Sequence, residues 1–209
     1  MSYEVHHPLF ARLYSRLSAR TEAHGGAEHR RELLAGLHGR VLELGAGNGL
    51  NFPYYPAAVT EVVAVEPEDY LRARADGAAQ TAPVRVTIVD AVADQLPFPN
   101  GSFDAAIASL VLCSVPDQAS ALGELRRVLR PGGELRFYEH VRPNNPRTAA
   151  IWQRFDDWNI YPRIAGGCHA ARDTEAAIRN AGFAVERCRR FPFKGGPVTA
   201  PHILGLARR

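Results

Sequence analysis

Short runs of Val, Leu and Ile alternate along the chain with longer stretches whose apolar residues recur at helical spacing. Apolar runs of about four to eight residues bounded by turn residues predict strands, and longer segments of period 3.6 predict helices. Strands are expected at 41–44 (VLEL), 62–66 (VVAVE), 84–89 (VRVTIV), 104–109 (DAAIAS) and 133–140 (GELRFYEH), with crossover helices near 47–55, 68–80 and 117–130. Strand and helix in regular alternation predict βαβ units and a mostly parallel sheet. The sharpest boundary is LRPGG, where Pro131 cannot continue a helix and Gly132 and Gly133 permit the turn into the next strand.

The pattern changes after residue 140. VRPNNP breaks the chain, a helix is expected at 146–158, and the loop YPRIAGGCHAARDT leads to a helix at 173–181 capped by Gly182. Two extended segments, 183–191 and 201–207, predict an antiparallel hairpin at one sheet edge, with KGGP at 194–197 between them. At the other terminus, 7–20 and 27–38 read as helices outside the sheet, separated by Gly25 and Gly26 and placed to cover a site. With no linker and no repeat, the expected organisation is one domain over 1–209: a helical lid at 1–38, a core at 40–140, and acceptor-side helices with the hairpin at 141–209.

Composition removes several function classes. The chain has 209 residues, 46% hydrophobic and 22% charged, which is ordinary for a globular domain. Its 25 basic and 22 acidic residues are too evenly balanced for nucleic-acid binding by bulk charge. Cys113, Cys168 and Cys188 are odd in number and widely spaced, so neither a disulfide framework nor a metal site is expected. No apolar stretch approaches membrane-spanning length and no secretory signal is evident, so the expected compartment is the cytoplasm.

The strongest motif is VLELGAGNGLN at 41–51, an apolar strand running into Gly45, Gly47 and Gly49. Glycines at the carboxyl edge of a first strand let a ligand approach the backbone closely. Glu66 ends the next strand 21 residues after Gly45, where an acid can bind ribose hydroxyls. Together they predict a nucleoside cofactor. Leu50 stands where a dinucleotide fingerprint would have its third glycine, and Glu43, two residues before the first, would repel a pyrophosphate. A carboxylate there suits a cofactor carrying an ammonium and a sulfonium, as S-adenosylmethionine does.

With these residues the chain resembles the class I S-adenosylmethionine-dependent methyltransferases over about residues 41–140, through VLELGAGNG, VVAVEPE, ADQLPFPNGSFDAAIASLVLCSVPD and LRRVLRPGGELRFYEHV. The resemblance implies a Rossmann-like α/β fold, a seven-stranded mostly parallel sheet in the order 3-2-1-4-5-7-6 between helices. It implies that the loop with Gly45, Ala46, Gly47, Asn48 and Asn51 cradles the methionine end and that Glu66, with Pro67, holds the ribose. The segment before LPF would frame the adenine, with Ser109 and Leu110 completing the cofactor set. Many relatives have Asp or Asn where this chain has Val92, so adenine recognition would fall to the backbone of Val92 and Ala93 and to Asp94; the strand-end acid Asp90 has no assigned role. More narrowly, SLVLCSV, FYEHV, Trp152-Gln153, Asp157-Trp158, Gly167-Cys168 and PHILGLA resemble the methyltransferase-like-7 group, the mammalian microsomal thiol methyltransferases, and their bacterial relatives. HHPLFARLYSRLS stands where that group has a membrane anchor, so peripheral membrane contact is not favoured. This stretch also resembles the opening of quinone-biosynthesis and phospholipid methyltransferases, in which an aromatic residue matching Tyr14 lies over the cofactor.

Methyl transfer from a sulfonium needs in-line placement of the acceptor more than strong acid–base apparatus, but a thiol reacts as thiolate and gains from a base. His140, following the fifth strand, is the first candidate for deprotonating or orienting the acceptor, or is bonded to backbone; His169 is the second, over the site or on the surface. Glu139 either orients a base or pairs with an arginine. Cys168 lines the pocket, and Cys113 reads as a small buried residue near the cofactor. Trp152, Phe155, Trp158 and Tyr161 form a stripe that packs in the core or walls the acceptor pocket, with Trp158 and Tyr161 nearer the acceptor. Arg187, Arg189 and Arg190 belong on a solvated edge strand. The expected function is methylation of a small apolar acceptor, a thiol first. Alternatives are O-, N- or C-methylation of a small molecule, quinone or phospholipid headgroup; a non-catalytic cofactor-binding protein and a nicotinamide oxidoreductase remain rivals.

Overall fold

Side chains alternate across a strand, so a strand buried on both faces must be apolar at nearly every position. β1 (Gly39–Leu44) shows this directly: Leu42 and Leu44 enter one core, and Val41 enters the other on the opposite face. A computed structural model, which describes residues 11, 12, 14, 15, 18, 21–194 and 199–209, extends this arrangement to seven strands. The others are β2 (Val59–Val65), β3 (Val86–Val89), β4 (Phe103–Ser109), β5 (Leu129–His140), β6 (Ala184–Phe193) and β7 (Ala200–Arg208). Their order is β3-β2-β1-β4-β5-β7-β6, parallel from β3 to β5, with β7 antiparallel to both β5 and β6. The order, the parallel core and the edge hairpin agree with the sequence reading; residues 195–198, which take in all of the KGGP stretch but Lys194, lie outside the described residues.

Helices cover the sheet as α1 (Ala27–Leu34), α2 (Asp69–Ala79), α3 (Gln118–Val128), α4 (Pro146–Asp157), α5 (Ile160–Ile164) and α6 (Thr174–Asn180). Four begin on a side-chain cap: Glu68 for α2, Asp117 for α3, Asn145 for α4 and Asp173 for α6. Residues 11, 12, 14, 15 and 18 are helical, and the remainder of the expected 7–20 helix lies outside the described residues. The break at Gly25 and Gly26 is a single π turn, Glu22–Gly26, with Gly25 at φ +108°.

Three expectations are corrected. Residues 47–55 form turns and one 3-10 turn (Phe52–Tyr54) rather than a crossover helix, because glycines in the left-handed region cannot propagate a right-handed helix. The helix expected to run to LRPGG stops at Val128, and β5 starts at Leu129, since a proline biases the residue before it towards extended backbone. The loop after α4 contains α5.

Candidate functional site

β1 delivers the chain to the carboxyl edge of the sheet, where Gly45 (φ +64°), Gly47 (φ +56°) and Gly49 (φ +79°) turn it back. Close packing demands glycine at two of these as much as dihedral angle does: a Cβ on Gly45 would lie 2.4 Å from Val111 Cγ2, and one on Gly49 2.8 Å from both Ala78 Cβ and the Phe52 ring. The Ala46 N–H donates to Val65 O (3.0 Å) and the Gly47 N–H to Glu66 Oε2 (2.7 Å), tying the loop to the end of β2. Glu66 Oε1 accepts from the Glu68 N–H (3.0 Å), and burial raises the carboxyl's pKa above its ordinary value. Each oxygen keeps a lone pair for a further donor.

A polar network lies behind this loop. Glu43 accepts from Asn51 Nδ2 (2.8 Å) and the Tyr55 hydroxyl (2.6 Å), and burial pushes its pKa up to about 7. Asn51 Oδ1 accepts from Arg30 Nη1, 2.8 Å away; the same nitrogen donates to Ser109 Oγ (3.1 Å), and Arg30 Nε to Glu22 Oε1 (2.8 Å). Arg30 and Tyr55 escaped the sequence reading, because only the fold brings α1 and the 3-10 turn to the glycine loop.

In front of the loop is a cavity of about 970 Å³, near the top of the roughly 300–1,000 Å³ usual for small-molecule sites. Tyr14, Gly45, Gly47, Glu66, Pro67, Val92, Ala93, Asp94, Ser109 and Leu110 line the part below β3, β2, β1 and β4. Glu43, Ala46, Asn48 and Asn51 do not reach the wall: Glu43 and Asn51 belong to the network behind it, and Asn48 Nδ2 donates to Ser18 Oγ (3.2 Å). Asp90 pairs at the surface with Arg72 (3.2 Å). Leu110 has φ +57°, backbone strain of the kind that gathers at ligand sites. The described wall carries four carboxylates, Glu66, Glu68, Asp94 and Asp117, and no Lys or Arg.

The part beyond β4 is walled by His140, Trp152, Tyr161, Cys168 and His202. His140 is not bonded to backbone; its Nδ1 meets Cys168 Sγ at 3.4 Å, and its Nε2 has no partner among the described residues. Burial lowers the His140 pKa, so the ring is neutral at pH 7. Glu139 neither orients His140 nor pairs with an arginine: it accepts from the Val111 (3.1 Å), Leu112 (2.9 Å) and Cys113 (3.2 Å) N–H groups and holds the turn after β4. His169 does not line the cavity; it is partly exposed, with Nδ1 4.0 Å from Asp156 Oδ2. The aromatic stripe divides, because α4 ends at Asp157 and Asn159 takes φ +55°, redirecting the chain. Trp152 and Tyr161 face the cavity, whereas Phe155 and Trp158 (65% exposed) face outward. Among the described residues no helix is long and apolar enough to cross a membrane.

A family described as a methyltransferase domain matches residues 42–137. The chain is 35% identical over 181 residues to the thiol S-methyltransferase TMT1B of Homo sapiens, covering 83% of this chain and 73% of the human protein. It is 30% identical over 173 residues to the human thiol S-methyltransferase TMT1A, covering 80% and 69%. An S-adenosylmethionine-dependent methyltransferase structure from Thermotoga maritima shares the fold, with a TM-score of 0.68 at 19% identity and 96% of each chain covered. The chain therefore belongs to the S-adenosylmethionine-dependent methyltransferase family that includes the thiol S-methyltransferases.

Proposed function

We propose that this enzyme methylates small apolar thiols. The observation that carries the reading is one cavity whose described wall at the glycine loop is acidic and carries no Lys or Arg, with a neutral imidazole set among aromatic rings beyond it. The donor set fits the cofactor: four carboxylates favour a ligand of net positive charge and would repel a pyrophosphate. Glu66 would take the ribose hydroxyls on its remaining lone pairs, and the close-approach backbone at Gly45 and Gly47 would support the methionine end. Val92, Ala93 and Asp94 would frame the adenine and Tyr14 would cover the loop, its ring 3.5 Å from where a Gly47 Cβ would stand. When bound, S-adenosylmethionine supplies an electrophilic methyl group.

This chain's own residues then have three tasks. His140, neutral and with Nε2 open, accepts the acceptor thiol's proton; a thiol of pKa about 8.5 is mostly protonated at pH 7, so the thiolate gains from such a partner. Trp152 and Tyr161 hold an apolar acceptor and exclude water. Glu139 fixes the turn between the two parts of the cavity. Glu43 acts through the loop, without contacting the cofactor. The test is S-adenosylhomocysteine formation by the purified protein with an alkyl thiol, hydrogen sulfide, a catechol, an amine and phosphatidylethanolamine vesicles. Turnover with thiols alone is expected; turnover with only catechol, amine or vesicles would transfer the reading to O- or N-methylation, and binding without any turnover would favour a non-catalytic protein.

A further inference from the structure

Methyl transfer leaves two thiols at the acceptor end unused. Cys113 follows β4 with its N–H on Glu139, and its carbonyl accepts from the His169 N–H (2.8 Å), which docks the loop after α5 against it. That loop is pinned from its other side too: Asp156 accepts from the N–H groups of Ala170 (3.2 Å) and Ala171 (2.8 Å). The backbone bond from the residue after Cys168 to Cys113 itself sets the two cysteines together on the cavity wall, with Cys113 Sγ 3.5 Å from Ser114 Oγ and Cys168 Sγ 3.4 Å from His140 Nδ1. Cys188 offers an internal contrast, half-buried on β6 with its thiol on Glu175 Oε2 (3.4 Å) and off the cavity wall.

We propose that Cys113 and Cys168 form a thiol–disulfide exchange site for small-molecule disulfides, the oxidised form of the acceptor class, and that exchange closes the acceptor end. Cys168 touches a base, and the backbone bond from its neighbour His169 holds it against a second cysteine, the arrangement of an attacking and a resolving cysteine. In the His140 tautomer that carries its proton on Nε2, the opposite of the one that serves methyl transfer, the Cys168 thiol gives its proton to Nδ1, and its sulfur attacks one sulfur of R–S–S–R. The S–S bond breaks, and RS⁻ departs as RSH with the proton from His140. Cys113 then attacks Cys168 Sγ, displacing the second RS⁻, which leaves with the Cys113 proton. Two protein sulfurs are oxidised and one disulfide is reduced to two thiols. The new bond takes Cys168 from His140 Nδ1, so the imidazole loses the contact that orients it. Methyl transfer thus stops when the thiol pool is oxidised. Only this last effect rests on the proposed thiol acceptor; the bond itself does not.

The test treats the full chain with 2-hydroxyethyl disulfide and maps peptides without reduction. The expected product lacks the mass of two hydrogen atoms, joins the Cys113 and Cys168 peptides, and leaves Cys188 titratable. At full cross-linking turnover should fall by about a hundredfold, the order of cost of a misplaced catalytic group, and at partial cross-linking in proportion to the cross-linked fraction. Tris(2-carboxyethyl)phosphine, which is not itself a thiol, should restore it. Cys188→Ser should still form the bond, whereas Cys113→Ser should stop at a mixed disulfide on Cys168. Free Cys113 and Cys168 after treatment, or separate mixed disulfides on each, would overturn the site, and a complete cross-link with full turnover would overturn the closure. If the enzyme methylates a different acceptor, the cross-link is still read by mass and the closure by that activity, so the two proposals fail separately.

Discussion

Replacing Glu139 by alanine tests the mechanical link between the sheet and the site. The side chain lies on β5, is fully buried, and accepts the N–H groups of Val111, Leu112 and Cys113 in the turn that separates the two parts of the cavity. Each buried N–H left without a partner costs about 1–3 kcal/mol, a gross loss of roughly 3–9 kcal/mol for three. Part is offset, because burial holds the Glu139 pKa well above its ordinary value and the variant no longer buries that carboxyl. A net loss of about 2–5 kcal/mol is expected, a large share of the roughly 5–15 kcal/mol that stabilises a typical domain. Urea unfolding at pH 7 followed by circular dichroism measures it as a lower midpoint at unchanged slope. Glu139→Gln should fall in between, since its carbonyl can keep Val111 and Leu112 while its amide faces the Cys113 N–H. S-adenosylhomocysteine affinity should drop in both variants. A loss below about 1 kcal/mol in Glu139→Ala, the scale of one ordinary hydrogen bond, with unchanged affinity, would refute the reasoning.

Other perturbations separate the parts of the account. Glu66→Gln should weaken S-adenosylhomocysteine binding by about 1–3 kcal/mol in a titration of the folded variant, and unchanged affinity would remove Glu66 from the ribose site. His140→Ala should lower turnover far more than cofactor affinity; because burial lowers the His140 pKa, the turnover attributable to it should persist below pH 6.5 and fail only in more acid solution. A loss centred above pH 6.5 would contradict the assignment. His202 has its pKa lowered by burial to about 4, so its contribution to stability is present above the unfolded value of 6.5 and lost as pH falls through 4. That is about 3 kcal/mol, seen as a loss of stability between pH 6.5 and 4 that is smaller by this amount in His202→Leu than in wild type. Arg30→Met should destabilise by about 3–5 kcal/mol, by leaving Glu22 without its cation; a change under 1 kcal/mol in urea unfolding would count against the network.

What the sequence reveals follows from the range of the interactions. The strands were legible because parallel strands covered on both faces carry continuous apolar runs such as VVAV and VLEL. The glycine loop and Glu66 were legible because strand, turn and strand-end acid are close in sequence. Arg30 was not: its partners Asn51 and Ser109 are 21 and 79 residues away, and nothing beside it in α1 marks it as buried. Glu139 was located, but its partners in the turn after β4 were visible only in the fold. Trp158 was misplaced because helical spacing was carried past Asp157, where the chain turns through left-handed Asn159. The link from Cys168 to Cys113 crosses 55 residues and depends on how the loop after α5 docks.

The most direct test of S-methylation follows the methyl group itself. The enzyme is given methyl-labelled S-adenosylmethionine with equal amounts of an alkane thiol and the alcohol of the same chain length, so that only the acceptor atom differs. The account predicts labelled methyl thioether formed in step with S-adenosylhomocysteine, no labelled ether, and loss of the thioether in His140→Ala. Label in the ether, or S-adenosylhomocysteine formed at the same rate without the thiol, would contradict it.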